Sequence, residues 1–144
     1  MKEALPIRVH AVQLDIAWED PPANYARTSA LLESADVSPG DLVVLPEMFD
    51  TGFSFRTDVT ADREGRTLRF LQGLAQKHRI TLQGARTVIG PDGRGRNRAS
   101  VIGPAGEVLV EYDKIHPFSF GRENEFFNGG DRVVVYPWIG GGQG

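Results

Sequence analysis

Charged side chains at three places in the chain could do chemistry. Glu47 follows Leu42-Val43-Val44-Leu45-Pro46, a short and wholly apolar run. Such a run reads as a buried strand, and a carboxylate at its end would be desolvated. Desolvation favours the protonated form and suits a general base working near neutral pH. Lys114 closes a second β-like run, in Tyr112-Asp113-Lys114-Ile115-His116-Pro117. An ammonium there is a compact charge that can stabilise a developing oxyanion. Glu123 and Glu125 lie among phenylalanines in Gly121-Arg122-Glu123-Asn124-Glu125-Phe126-Phe127. Taken singly, each also reads as a solvated strand-end or loop residue.

The elements that must position these groups follow from periodicity and turn chemistry. Ile7 to Ile16 alternates like a strand. Asp20 before Pro21-Pro22 is an N-cap followed by prolines in a first helical turn, and Asn24 to Ala35 continues as a helix. Ser38-Pro39-Gly40-Asp41 is a turn, and Leu42 to Pro46 a strand buried on both faces. Phe49 to Val59 reads as a loop and Arg66 to His78 as a second helix, with Leu68, Leu71 and Ala75 on one stripe. Ile80 to Ile89 is a strand, also buried on both faces, and Pro91 to Arg96 a turn. Ala99 to Ile102 and Val108 to Tyr112 form a hairpin. Pro117 to Gly130 is a long loop, and Val133 to Tyr136 a last strand. This order predicts an α/β fold with mixed strand pairing. No repeat or linker divides the chain. The tail from Ile139 to Gly144 reads as an abrupt end.

Composition narrows the function classes. The 144 residues are 40% hydrophobic and 24% charged, which suits a globular protein with a real core. A net charge of −3 gives no basic footprint for nucleic acid or anionic membrane. No apolar run approaches the roughly 20 residues of a membrane span, and Met1 to Leu14 lacks the unbroken apolar stretch of a signal peptide. A cytoplasmic location is the expectation. The absence of cysteine excludes disulfides, thiolate metal sites and a thiol nucleophile within these residues. His10, His78 and His116 are scattered without spaced ligand partners, so no metal is expected. Gly90 to Arg96 does not match a phosphate loop, and Trp18 and Trp138 read as packing residues.

Taken together, the charged residues are far more specific. Leu45-Pro46-Glu47-Met48-Phe49 after an apolar strand, then Tyr112-Asp113-Lys114-Ile115-His116, then Glu123 seven residues before Gly130, closely resembles the nitrilase superfamily of carbon–nitrogen hydrolases. The resemblance implies a four-layer α-β-β-α sandwich, with Glu47 and Lys114 as the catalytic glutamate and lysine. It implies that Glu123 is the additional active-site glutamate. Asp50-Thr51-Gly52-Phe53-Ser54-Phe55 and Phe118-Ser119-Phe120-Gly121 look most like the omega-amidase branch, whose members hydrolyse the terminal amide of 2-oxo dicarboxylic acid monoamides. Phe53 and Phe118 are the substrate contacts this implies. It further implies a small-molecule amide substrate, no cofactor, no nucleic-acid or membrane partner, and a homo-oligomer when intact.

Members of the superfamily continue into another strand that ends at a nucleophilic cysteine. No cysteine occurs here, and no Ser or Thr follows Ser119 to replace it. The resemblance therefore implies a truncated, N-terminal part of the domain, covering residues 1–144, that is inactive alone. Two other readings stay open on these residues. One is a non-catalytic fragment that only folds or self-associates. The other is a metal-dependent phosphoesterase of similar layered architecture, which would need an Asn/Asp/His set and a C-terminal His motif.

Overall fold

The computed structural model describes residues 8–138. Its centre is one five-stranded sheet in the order β1-β2-β3-β4-β5: Val9–Ala11, Leu42–Val44, Thr81–Ile89, Gly95–Ile102 and Val108–Asp113. β1, β2 and β3 run parallel, while β3-β4-β5 is an antiparallel meander. The mixed pairing follows from the connections. Helices bridge the parallel strands, and tight turns at Pro91–Arg94 and Gly103–Gly106 join the antiparallel ones.

α1 (Pro21–Ser34) starts where Asp20 accepts the Ala23 N–H at 3.1 Å, with proline opening the first turn. It buries Asn24, Thr28 and Leu32, one residue per turn. α2 is a single turn, Thr57–Thr60. α3 (Arg66–His78) has the bounds its stripe predicts and buries Thr67, Leu71, Leu74 and Ala75. Two N–H groups of its first turn, those of Thr67 and Leu68, are each capped at 3.1 Å by the Asp62 carboxylate. Leu32 from α1 and Leu71, Leu74 and Ala75 from α3 meet Val43, Leu82 and Ile102 of the sheet, with Leu45, Phe49 and Ile80 completing the core.

The α/β class is as expected, and the described residues form two layers: a sheet, with helices on one face. This explains several departures from the sequence reading. The strands are not buried on both faces: Val43 is fully enclosed, while its neighbours Leu42 and Val44 are half-buried. β1 makes its last ladder bond from Val12 to Val44 and does not reach Ile16; Ile7 lies outside the described residues. β4 begins at Gly95, inside the expected turn, because Gly95 and Arg96 pair with Ile89 and Val88. Val133 to Tyr136 is not a strand. No described strand pairs with it, and Val133 and Val135 are 80% and 92% exposed. The long loop contains two 3-10 turns, Ser119–Gly121 and Glu123–Glu125. Trp18 is 63% exposed and packs its ring against Gly52. The tail from Ile139 lies outside the described residues.

Candidate active site

β2 ends at Val44, and the chain passes through Leu45 and Pro46 to place Glu47 beyond the sheet. Met48 follows at φ 50° and Gly52 at φ 73°, so the backbone turns sharply twice. A Cβ at Gly52 would lie 2.8 Å from the Trp18 ring, which makes glycine a steric requirement there. The turn buries Met48, Phe49, Asp50 and Thr51 and leaves Glu47 outward. The Glu47 side chain is 49% exposed, so the desolvation expected from its apolar strand is not found. The strand stops short, and its last residues carry the carboxylate past the layer that would have covered it.

Lys114 follows β5 directly. Its backbone N–H bonds the Asn97 carbonyl of β4 at 2.9 Å. Its Nζ donates to Glu47 Oε1 at 3.0 Å and to Glu123 Oε2 at 2.9 Å. Burial pulls the lysine toward its neutral form, but the hydrogen bonds it donates to Glu123 and Glu47 outweigh this and hold the pKa above the usual lysine value. Lys114 is a fixed cation across the neutral range.

Glu123 is buried, with 1% exposure. Its Oε2 also accepts the Phe118 backbone N–H at 2.6 Å, while Oε1 is enclosed without a partner among the described residues. The loop that carries it is stitched to β4 by bonds from Gly95 N to Phe126 O and from Asn128 N to Gly95 O. It is stitched to β5 by the bond from Gly130 N to Lys114 O at 3.0 Å. Side chains at Gly129 or Gly130 would collide with the carbonyls of Ile115 and Asp113, at 2.2 and 2.3 Å. The seven-residue spacing from Glu123 to Gly130 thus has a cause: backbone lies on backbone at one end, and the carboxylate reaches the lysine at the other.

Phe53 stands beside these charges, its ring centroid 5.4 Å from Lys114 Nζ. It packs edge-on against Phe55 and tilted against Phe127, and Phe55 stacks on Phe126 at 4.8 Å. Phe118 is 61% exposed. Together Glu47, Lys114, Glu123, Phe53 and Phe118 line an open cavity of about 520 Å³, with Phe55 and His116. The structure therefore brings together the five residues that the family resemblance implies for the site. Glu125 is not among them; it is held outside by Arg122 at 2.6 Å.

The sequence reading missed Asn97, whose side chain donates to Glu47 Oε1 at 2.6 Å. Its only signal was a polar residue, flanked by arginines, in what read as turn and hairpin. His10 does find a carboxylate, Asp41 at 2.8 Å, which sequence spacing could not show. Among the described residues no group of three or more His, Cys, Asp or Glu side chains could hold a metal ion, and no helix is long and apolar enough to cross a membrane.

The sequence matches the carbon–nitrogen hydrolase family over residues 8–142. The chain belongs to that family. It is 31% identical to an omega-amidase of Yersinia enterocolitica over 93% of this chain and 51% of that protein. It is 34% identical to a nitrilase of Pyrococcus abyssi over 87% of this chain and 48% of that one. The crystal structure of a CN-hydrolase superfamily protein from Xanthomonas campestris, with an arsenic adduct in its active site, superposes with a TM-score of 0.81 at 32% identity. That match covers 93% of this chain and 50% of the other. The carbon–nitrogen hydrolase chain described here thus spans about half the length of the relatives it matches.

Proposed function

We propose that this chain carries the acid–base and oxyanion-stabilising part of an omega-amidase-like site, acting on the non-peptide amide of a small carboxylic acid such as 2-oxoglutaramate. The observation that carries this reading is the bridge from Glu47 through Lys114 to Glu123, at 3.0 and 2.9 Å, on the floor of an aromatic cavity. Similarity to an omega-amidase supports the substrate class.

In the proposed reaction a thiol gives its proton to Glu47, and the thiolate attacks the amide carbon. The carbonyl π electrons move to oxygen, and Lys114 stabilises that oxyanion. The tetrahedral intermediate collapses and the carbon–nitrogen bond breaks. Glu47 returns its proton to the departing nitrogen, which leaves as ammonia. Water, deprotonated by Glu47, then cleaves the thioester and regenerates the thiol. Glu123 holds Lys114 in place, and Phe53 and Phe118 wall the substrate. The 144 residues contain no cysteine, so the thiol has to be supplied from outside them.

Ammonia release from 2-oxoglutaramate or succinamate tests this. The 144-residue chain alone is expected to release none. Release that survives Glu47→Gln would mean the site is elsewhere. Release that Glu47→Gln abolishes would mean that a cysteine is dispensable.

A further inference from the structure

Glu47 Oε1 accepts two donors, Asn97 Nδ2 at 2.6 Å and Lys114 Nζ at 3.0 Å. Oε2 has no protein donor among the described residues. Asn97 is nine-tenths buried, at 6% exposure, and sits within β4 opposite Thr87 of β3. Its backbone carbonyl accepts the Lys114 N–H. One residue therefore grips the side chain of the glutamate and the main chain of the lysine. Two positions upstream in β4, Gly95 anchors the loop that carries Glu123. Asn97 lies at the junction of all three segments.

We infer that Asn97 is a positioning residue that commits Oε1 of Glu47 to binding and leaves Oε2 as the oxygen that exchanges the proton. Two donors fill the in-plane lone pairs of Oε1. Each donor stabilises negative charge on that oxygen and makes it the poorer base. Oε2 keeps its lone pairs, on a side chain that is 49% exposed. An amide suits the task because it adds no charge and does not titrate, so it stays a donor while Glu47 gains and loses its proton. The amide oxygen could not take this place, since it would oppose a carboxylate oxygen with no proton between them.

The catalytic consequence rests on reading Glu47 as the general base, but the hydrogen bond can be tested without any reaction. In chain labelled at the glutamate side-chain carboxyl carbon, the Glu47 signal is identified by its loss in Glu47→Gln and followed against pH. Asn97→Asp keeps the shape, removes the donor and sets a second carboxylate beside Glu47; Asn97→Ala only removes the donor. The Glu47 titration is expected to move to higher pH in both variants, by about one pH unit in Asn97→Asp and less in Asn97→Ala. The other glutamates should hold. A Glu47 titration unchanged in folded Asn97→Asp overturns the inference. Should neither variant fold, the side-chain amide signal of Asn97 is read in the unsubstituted chain. It is expected to shift as Glu47 titrates and to lose that step in Glu47→Gln, a change at an exposed site. An Asn97 signal without the step overturns the inference equally. Failure of the hydrolase reading would leave all these spectra as expected, so the two ideas fail separately.

Discussion

At the residue scale the site is a balance of three charges. Glu123 is enclosed, and among the described residues only Lys114 and one backbone N–H compensate its charge. Removing the lysine leaves a buried carboxylate short of a partner. For fully buried pairs that costs about 3–5 kcal/mol. The Lys114 side chain is 28% exposed, so solvent recovers part of the loss. Lys114→Met is therefore expected to destabilise the chain by about 2 kcal/mol in urea unfolding. Glu47→Gln should cost under about 1 kcal/mol, because that side chain is half in water. A Lys114→Met variant as stable as the parent would mean that the cluster is not held as described. The types and order of these residues were legible in the sequence, because each follows or interrupts an apolar run. Asn97 was not, since a hydrogen bond 50 positions away in the chain leaves no local pattern.

At the element scale the turn after Glu47 is the part most exposed to pH. The Asp50 carboxyl is buried beneath it, accepting from Thr67 Oγ1 at 2.7 Å, and the Thr67 hydroxyl also meets Tyr25 Oη at 2.6 Å. Burial, opposed by the Thr67 bond, raises the Asp50 pKa from 3.8 to about 6. The folded state thus holds the Asp50 proton more tightly than the unfolded chain. The stability this contributes is full below pH 3.8 and is lost as pH rises through about 6. Asp50→Asn should remove that dependence. The difference in unfolding free energy between parent and variant should drift in favour of the variant by on the order of 2 kcal/mol from pH 4 to pH 7. A difference that stays level over that range would show that Asp50 does not titrate there. The clasp between the Glu123 loop and β5 is the second test. Gly130→Ala would push a methyl toward the Asp113 carbonyl, which cannot yield as a side chain can. A loss of about 1–3 kcal/mol is expected in thermal unfolding. α3 was legible to the residue, because its stripe meets a single core. Val133 to Tyr136 has the apolar, β-branched composition of a strand but pairs with no described strand, and composition alone cannot supply a partner.

At the scale of the whole molecule, the described helices cover one side of the sheet. The other side carries half-buried Ala99, Val110 and Tyr112 and buried Val101, which share an open, mostly apolar cavity with Val134 and Tyr136. With Val133 and Val135 exposed beside it, this face should bind a dye that reports apolar surface and should draw copies of the chain together. Light scattering after size exclusion is expected to show species larger than the 15.8 kDa monomer. A monodisperse monomer that ignores the dye and unfolds in one transition would show that the two layers suffice. The layer order was legible from the alternation of helices and strands. Which faces would be covered was not, because an apolar strand reads alike whether one layer or two lies against it.

The change of direction at β3 bears on the order in which the chain assembles. β3, β4 and β5 are neighbours in sequence, joined by turns of a few residues, so the meander can zip from local contacts. β1 and β2 reach β3 only through helical crossovers, and closing those longer loops is slow. Lys114 ends the part that forms early, and Glu47 ends a strand of the part that arrives late, 67 positions before it in the chain. The ion pair then closes near the last step of folding. The ammonium waits for its carboxylate, and a chain caught on the way would hold half of the constellation in place and the other half still searching.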